Sequence, residues 1–143
     1  MTAHRTAPDG WRALKIDGFM ALIGTLLRSA QTAQKHSYAL QTNETHKNHL
    51  GIVHGGVITS LLDQVIALSA WNAADRRRTV TVQMETRFLG AARVGDFLEI
   101  RPVIRQATRS LIFVDADITC GDKAIASASA VMKISKQSGE NHE

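Results

Sequence analysis

The longest apolar segment of the chain covers residues 57–74 and contains neither glycine nor proline. Its apolar positions occupy more than one helical face, which is typical of a helix that is buried on most sides. At ~1.5 Å per residue, such a helix is roughly 27 Å long, which is enough to cross a small domain. The pattern therefore predicts one long central helix around which the rest of the chain folds.

Shorter patterns on both sides of this segment predict one more helix and five strands. Residues 18–29 carry apolar side chains along one helical stripe and predict a short amphipathic helix. A weak alternating pattern predicts a strand at residues 37–42. Stronger strand patterns follow the central helix at residues 79–89, 97–106, 110–120 and 123–135. Pro102 lies inside one of these strands, which indicates an edge position or a bulge.

The order of these elements predicts an α+β domain. The turns between the last four strands are short, so those strands are expected to be antiparallel. One antiparallel sheet can then cover the central helix on most sides. We expect a single domain at residues 18–135, with a flexible segment at 1–17 before it and a polar tail at 136–143 after it.

Size and composition are those of an ordinary water-soluble domain. The 143 residues can bury a full core, and 44% of them are hydrophobic and 21% charged. No uninterrupted apolar run reaches the ~18 residues of a spanning helix, so no membrane span is expected. The lone Cys120 fits a reducing compartment, which predicts a cytoplasmic location.

The charged and metal-binding residue types exclude two further classes of partner. The net charge of +4 is small and scattered, and its one cluster, residues 76–78, is too short to predict nucleic-acid binding. The six histidines and one cysteine lack the spacing of a structural zinc site, so no metal is expected.

The polar residues before the central helix carry the candidate chemistry. Asn48, His49 and His54 precede Gly55 and Gly56, which lie at the expected helix start. The first N–H groups of a helix have no intrahelical partner and lie at the positive end of its dipole. Glycine lets another group approach closely. This start therefore predicts an oxyanion or anion site.

Asp63 lies about two turns inside the predicted helix and has two interpretations. If Asp63 is buried among Leu61, Leu62 and Val65, an ionised carboxylate is costly there. Its pKa would then be raised, as expected of a general base. Alternatively, Asp63 faces water or bonds a neighbouring backbone group. The residues alone leave both interpretations open.

With these residues in this order, the sequence resembles the hotdog-fold thioesterases, in particular the PaaI-like acyl-CoA branch. The most specific match is Asn48-x-x-Gly51-x-x-His54-Gly55-Gly56, followed by Asp63 nine residues after the histidine. Further matches are Leu62, Phe88-Leu89, Gly95-Asp96, Arg109 and the strand at residues 126–132. The resemblance covers nearly the whole chain, from about residue 18 to residue 134.

The resemblance implies a hotdog fold, with a five-stranded antiparallel sheet wrapped around one long central helix and a short N-terminal helix. It also implies a homodimer whose sheets join edge to edge, with two active sites at the interface, and dimers that pair into tetramers. The implied reaction is hydrolysis of an acyl-CoA or aryl-CoA thioester to a carboxylic acid. Coenzyme A is then part of the substrate, and no separate cofactor is implied.

The resemblance also assigns roles to individual residues. The Gly55 N–H and the Asn48 side chain polarise the thioester carbonyl. Asp63, from the opposite subunit, is the general base or the nucleophile. Thr81 falls where relatives have a hydroxyl that helps to hold the water. His54 either bonds near the thioester or caps the helix, and we prefer the capping role.

Contacts with the rest of the substrate are expected from Gly56 at the helix start and from arginines. Arg87, Arg109 and residues 76–78 are candidate partners for the phosphates of coenzyme A, because guanidinium groups suit phosphate. His46 and His49 are interpreted as loop residues.

Two other functions stay open. One is a non-catalytic acyl-CoA-binding hotdog module, and the other is a hydratase of the enoyl-CoA type with the same fold. Neither the acyl group nor the choice between coenzyme A and acyl carrier protein can be determined from the sequence.

Overall fold

The computed structural model describes residues 7–30 and 37–136 of the chain. The described residues form two α-helices, α1 (Phe19–Ile23) and α2 (Gly55–Ala73), and a short 3-10 helix at Glu44–His46. They also form seven strands: β1 (Trp11–Ala13), β2 (Leu27–Ser29), β3 (Tyr38–Gln41), β4 (Thr79–Phe88), β5 (Phe97–Ala107), β6 (Leu111–Cys120) and β7 (Lys123–Ile134). All pair antiparallel in one sheet of order β1-β2-β3-β5-β6-β7-β4.

The predicted central helix is confirmed as α2, which packs against one face of the sheet. Its inner side is fully buried at Leu61, Leu62, Val65 and Ile66. These side chains belong to one hydrophobic core with the inward side chains of the strands, among them Leu98, Ile100, Ile112, Val114, Ile118 and Met132. Each such side chain contributes about 1.5–3 kcal/mol by leaving water. The core therefore fixes α2 across the sheet.

The five predicted strands are confirmed as β3 to β7, but the sheet has seven strands rather than five. The two additional strands, β1 and β2, are three residues long, too short for an alternating pattern to show in the sequence. Part of the segment 1–17, predicted to be flexible, therefore belongs to the sheet through β1. Residues 1–6 and 137–143 lie outside the described residues.

The predicted N-terminal helix at residues 18–29 is correct only in its first part. It ends at Ile23 because Gly24 has a φ of 139°, which no helix accommodates. Leu27 then enters strand β2 and is buried there, whereas Phe19 and Leu22 on α1 are exposed. The apolar stripe therefore joins two different elements rather than one amphipathic helix.

Pro102 lies at an edge position, as predicted. Strand β3 pairs only with Phe97–Ile100 of β5, so the rest of that side of β5 carries no partner strand among the described residues. Pro102 pairs on its other side with Ala116 of β6. The bulge of β5 lies further on, between Ile104 and Gln106.

Strand β4 forms the edge of the sheet opposite β1. It pairs with β7 on one side, and no described strand covers the other side. Val80 and Val82 of this strand are 49% and 52% exposed. A long edge strand with exposed apolar side chains is unusual in a protein that stays monomeric.

Neither helix within the described residues has both the length and the hydropathy that crossing a bilayer requires.

Candidate active site

The start of α2 is built by His54, which is the N-cap residue. Its Nδ1 accepts a hydrogen bond of 2.7 Å from the Gly56 N–H. The structure therefore agrees with the capping role that we preferred for His54. The Gly56 N–H is used by this cap, whereas the Gly55 N–H donates no hydrogen bond to any described residue. The free donor at the helix start is therefore that of Gly55.

Both glycines have close neighbours, and the one at Gly56 is close enough that a side chain would disturb it. A methyl group at Gly55 would lie 3.4 Å from the ring of Phe88, and one at Gly56 would lie 3.1 Å from His54 Nδ1. Phe88 is 59% exposed, so its ring packs on the helix start while much of it stays open to solvent. Phe88 thus forms one wall beside the free Gly55 N–H.

The Asn48 side chain stabilises a turn with its oxygen and keeps its NH₂ group free as a donor. Its Oδ1 accepts hydrogen bonds from the N–H groups of Leu50 (2.9 Å) and Ile52 (3.2 Å). Both partners are donors, which assigns the oxygen to this side of the amide. Among the described residues, the Nδ2 group donates no hydrogen bond. Gly51 turns the chain between them with a φ of 86°, where glycine is favoured.

Asp63 is exposed in the single chain, so of its two interpretations the one in which it is buried among Leu61, Leu62 and Val65 is wrong, and the one in which it faces water is correct. Those three side chains point into the core, whereas Asp63 lies on the flank of α2 beside β4. Its Oδ1 accepts a hydrogen bond of 3.0 Å from Thr81 Oγ1. Because β4 is the last strand of the sheet, no further described strand covers this carboxylate.

A β-bulge in β4 determines which side chains face α2. Thr81 is opposite the buried Met132, but Gln83 is opposite Val131, so Val82 is an extra residue. Phe88 pairs with the buried Ala126. Without the extra residue, positions an odd number apart would point to opposite faces of the strand. The bulge therefore places Thr81 and Phe88 on the same face, which simple alternation along the sequence does not predict.

Within one chain, the candidate residues form two separate groups. His54 and Phe88 lie beside the glycines at the helix start, and Asn48 belongs to the loop before them, whereas Thr81 bonds Asp63. Gly55 and Asp63 are eight residues apart on α2, which is roughly 12 Å along the helix axis. Thr81 and Phe88 are seven residues apart on β4, which is roughly 23 Å along the strand. One chain alone therefore does not bring the carboxylate to the free N–H.

The candidate arginines are exposed and lie in three places. Arg87 pairs with Ser127, next to positions that face α2, so Arg87 points to the outer face of the sheet. Arg109 lies in the turn between β5 and β6, and residues 76–78 lie in the loop between α2 and β4. The structure thus does not place Arg87 on the face that carries Thr81 and Phe88.

His46 lies in the connection between β3 and α2, as interpreted, but it is 3% exposed and ends the short 3-10 helix Glu44–His46. Its Nδ1 accepts from the Asn43 N–H at 2.9 Å, and its Nε2 donates to the Ile23 carbonyl oxygen. Its own carbonyl oxygen accepts from the His54 N–H at 2.8 Å. His46 therefore ties α1 to the residue that caps α2. The signal in the sequence is the Asn43-x-x-His46 spacing of a capping box.

A cavity of about 260 Å³ lies between the C-terminal half of α2 and β5, lined by Ser69, Asn72, Ala73, Pro102 and Ile104. None of these is a predicted site residue. Across residues 7–30 and 37–136, no group of three His, Cys, Asp or Glu side chains is arranged to hold a metal ion.

Known proteins match this chain over most of its length. A family model described as the thioesterase superfamily matches residues 50–127. A Pseudomonas aeruginosa protein named as a candidate esterase is 30% identical over 129 residues, which are 89% of this chain and 96% of that protein. Acyl-coenzyme A thioesterase 13 of Mus musculus is 24% identical over 105 residues, 73% of this chain and 75% of that protein.

The fold also matches a solved structure. The PaaI protein of the phenylacetic acid degradation operon of E. coli superposes with a TM-score of 0.64 at 18% identity, over 70% of this chain and 72% of that one. This likeness shows the fold, and the family match covers Gly55, Asp63 and Thr81. The chain therefore belongs to the thioesterase superfamily, has the hotdog fold, and is a thioester hydrolase.

Proposed function

We propose that the protein hydrolyses acyl-CoA or aryl-CoA thioesters as a homodimer with two active sites. Each site combines Asn48 and the Gly55 N–H of one subunit with Asp63 and Thr81 of the other. The observation that carries this proposal is the free edge of β4, because the two groups of site residues lie near its opposite ends. Acyl-coenzyme A thioesterase 13, a relative at 24% identity, supports coenzyme A as the carrier.

Pairing of β4 with its symmetry mate brings the two groups together. A two-fold axis pairs identical edges antiparallel, so the Thr81 end of one strand meets the Phe88 end of the other. Phe88 contacts Gly55 in its own chain, and Thr81 contacts Asp63 in its own chain. The distance of roughly 23 Å along one strand is thereby replaced by a contact across the interface.

The same pairing provides hydrogen-bond partners for the exposed edge of β4. The outer N–H and C=O groups of β4 gain partners, and Val80 and Val82 become covered at the interface. Asp63 lies on this flank, so the second subunit also removes its carboxylate from bulk water. The dimer thus accounts for an acid that is exposed in one chain but acts in a shielded site.

The proposed reaction uses the free donors at the helix start. The Gly55 N–H and Asn48 Nδ2 donate to the thioester oxygen, which gains negative charge as the carbonyl carbon becomes tetrahedral. His54 keeps this donor pair in place, since its Nδ1 takes the Gly56 N–H instead. Gly56 then contributes to substrate binding through its small size rather than through its N–H.

Asp63 supplies the second half of the chemistry. As general base, it takes a proton from water while the water oxygen forms a bond to the carbonyl carbon. The carbon–sulfur bond then breaks, and the proton passes to the sulfur to give the thiol and the carboxylic acid. The Thr81 hydroxyl holds Oδ1, which leaves Oδ2 for the water. As nucleophile, Oδ2 would instead attack the carbonyl carbon and displace the thiolate, and water would then hydrolyse the resulting mixed anhydride to the carboxylic acid and free Asp63.

The hydratase alternative has less support. Such a mechanism pairs a histidine with a carboxylate, but His54 Nδ1 is used by the helix cap. His54 and Asp63 are also nine residues apart, two and a half turns of α2. Tetramer formation, a cytoplasmic location and phosphate contacts by Arg87 or Arg109 stay predictions.

The experiment that tests the proposal compares Asp63→Asn with Asp117→Asn on a panel of acyl-CoA and aryl-CoA esters. Asp117 is an exposed aspartate on the outer face of β6, where it pairs with Ser127. We expect kcat to fall by about 10²–10⁴ for Asp63→Asn, as for loss of a general base, and to stay unchanged for the control. Equal rates for Asp63→Asn and the unmodified protein would remove Asp63 from the mechanism. Binding of coenzyme A esters without any turnover would instead favour the non-catalytic module.

A further inference from the structure

A cavity lies on the flank of α2 that faces β5, away from the proposed active site. It has a volume of about 260 Å³ and is partly open to solvent. Its helix wall consists of Ser69, Asn72 and Ala73, which share one helical face because they are three and four residues apart. Its sheet wall consists of Pro102 and Ile104 of β5. We call this site the β5 cavity.

The β5 cavity exists because β5 extends beyond the side chains that cover the rest of the sheet. Strand β3 pairs with β5 only as far as Ile100, so no described strand continues the sheet beside Pro102. Pro102 and Ile104 are opposite the buried Ala116 and Val114, respectively. Both therefore lie on the sheet face that α2 covers. Ile104 is nevertheless 37% exposed, because the cavity rather than a side chain lies against it.

The Ser69 hydroxyl is the unusual group of the β5 cavity. Ser69 is only 9% exposed, yet its side chain forms no hydrogen bond with any described residue. The other serine of α2, Ser60, donates to the Gly56 carbonyl oxygen one turn before it, at 2.7 Å. A buried hydroxyl without a partner costs free energy, which a bound molecule with a hydrogen-bonding group would recover. Ser69 therefore indicates a ligand with a polar group.

The other groups around the β5 cavity favour a neutral ligand. The exposed Asn72 amide forms no hydrogen bond within the described chain, so it offers two donors and an acceptor. None of the five lining residues is charged. Of the neighbouring arginines on β5, Arg101 is paired with Glu99 at 3.4 Å. Arg105 is paired with Asp115 at 2.8 Å. An ion in the cavity would thus lose its hydration without gaining a counter-charge.

The β5 cavity is separate from the proposed active site. Ser69 follows Asp63 by six residues, which is roughly 240° around α2 and ~9 Å along it. Strands β6 and β7 lie between β5 and β4, so the two flanks are ~14 Å apart across the sheet. The proposed dimer pairs β4 with β4, which leaves each cavity on the outer side of its subunit.

We infer that the β5 cavity binds a small neutral molecule with an apolar body and one hydroxyl or amide group. A cavity of ~150 Å³ accommodates benzene, and drug-sized ligands occupy ~300–1,000 Å³. The β5 cavity lies between these sizes, so it suits a single ring or a short chain of about ten heavy atoms. The polar group of the ligand bonds to Ser69 and Asn72. Its body packs against Pro102 and Ile104.

Titrations followed by heteronuclear NMR spectra test the inference with three probes of similar shape. These are benzyl alcohol, toluene, which lacks the hydroxyl, and the benzylammonium ion, which is charged. We expect benzyl alcohol to bind with a Kd on the order of 1 mM, as for a ligand of its size. It should shift the amide signals of Ser69, Asn72 and Ala73. The benzylammonium ion should bind at least about tenfold more weakly, because the cavity has no counter-charge.

Substitutions identify the groups that hold the probe. Ser69→Ala should weaken benzyl alcohol binding about three- to tenfold and leave toluene binding unchanged, as for loss of one neutral hydrogen bond. Ser60→Ala is the matched control and should leave both Kd values unchanged, because its hydroxyl bonds to the helix backbone. Ala73→Phe fills the cavity and should abolish binding of both probes. Asp63→Asn should change neither Kd, so the result is independent of the proposed hydrolysis.

Several results would overturn the inference. One is the absence of shifts at the lining residues for every probe, and another is an unchanged Kd of benzyl alcohol for Ser69→Ala. Shifts confined to Asp63 and the start of α2 would place the probe in the proposed active site instead. A larger loss of Tm for Ser69→Ala than for Ser60→Ala would show that the hydroxyl has a structural partner. Absence of binding in an assembly larger than a dimer, which Ala73→Phe breaks, would assign the cavity to a contact between copies.

Discussion

The hydrogen bond between Thr81 and Asp63 connects the edge of the sheet to the central helix. It holds one carboxylate oxygen at 3.0 Å and leaves the other available. Before and at the start of α2, Asn48 and His54 have comparable roles, because each uses one polar atom to bind backbone N–H groups. Asn48 then keeps its Nδ2 free, and His54 keeps the Gly55 N–H free. Single side chains thus fix the local backbone and leave specific donors unoccupied.

The role of His54 can be tested by a substitution that preserves the cap. Asparagine is among the best N-cap residues and alanine among the poorest. We expect His54→Asn to retain most of the activity and stability. His54→Ala should lose about 0.5–2 kcal/mol of stability, measured by urea unfolding.

The two variants separate capping from chemistry. If His54 acted directly on the thioester, both substitutions would lower kcat alike, whatever their stability. A loss of 10² or more in kcat for a stable His54→Asn protein would contradict the capping role.

At the scale of elements, the start of α2 depends on the segment that precedes it. Buried His46 accepts from one backbone N–H, donates to a carbonyl oxygen of α1, and receives the His54 N–H on its own carbonyl. The short helix α1 therefore stabilises the helix start from a distance. Strand β4 acts further along α2, because its bulge turns Thr81 towards Asp63.

His46→Ala should be destabilising, because it removes a buried ring and leaves the partly buried Asn43 N–H and Ile23 carbonyl without their partner. An unsatisfied buried group costs about 1–3 kcal/mol, and partial exposure lowers that cost, so we expect a loss of about 1–3 kcal/mol in urea unfolding. His49→Ala is the matched control, since His49 is an exposed histidine of the same loop and should change stability by less than about 0.5 kcal/mol. Equal effects of the two substitutions would show that the buried ring is not supporting the helix start.

Long periodic patterns were sufficient to predict the larger elements. Residues 57–74 and the four strands after them repeat their patterns over many positions, and the structure confirms all five elements. Strands β1 and β2 carry only three residues each, so no period could reveal them. Gly24 ends α1 inside an apolar stripe that otherwise continues, which is why the helix was predicted too long.

The site was predicted less completely, because its geometry depends on contacts distant in sequence. The spacing of Asn48, His54 and Gly55 is local, so the sequence alone could predict a site at the start of α2. The exposure of Asp63 depends on which strand ends the sheet, and the contact of Phe88 with Gly55 depends on the bulge at Val82. Neither property is encoded within a short window of sequence.

At the scale of the whole molecule, the two halves of the proposed site lie near opposite ends of β4, the free edge strand of the hotdog domain. Asp63 lies near the Thr81 end, and the helix start lies near the Phe88 end. The sheet covers α2 on one side, and the flank that carries Asp63 stays open where β4 ends the sheet. An isologous dimer uses each half once in each of two sites, so both sites are complete. In the proposed mechanism, a single subunit has no complete site, so dimerisation is required for catalysis.

The most direct test of this claim is the activity of a heterodimer purified through two different tags. One subunit carries Asp63→Asn, and the other carries Asn48→Asp, which keeps the oxygen that fixes the loop but removes the Nδ2 donor. Each substitution alone should inactivate its homodimer. Loss of the Asn48 donor costs about 10²–10³ in kcat, and loss of the Asp63 general base costs about 10²–10⁴.

In the heterodimer, shared sites predict one site with both substitutions and one site with neither, so about half of the unmodified activity returns. If each site lay within a single subunit, both sites would carry one substitution. The heterodimer would then be as inactive as the two homodimers, and that result would contradict the account.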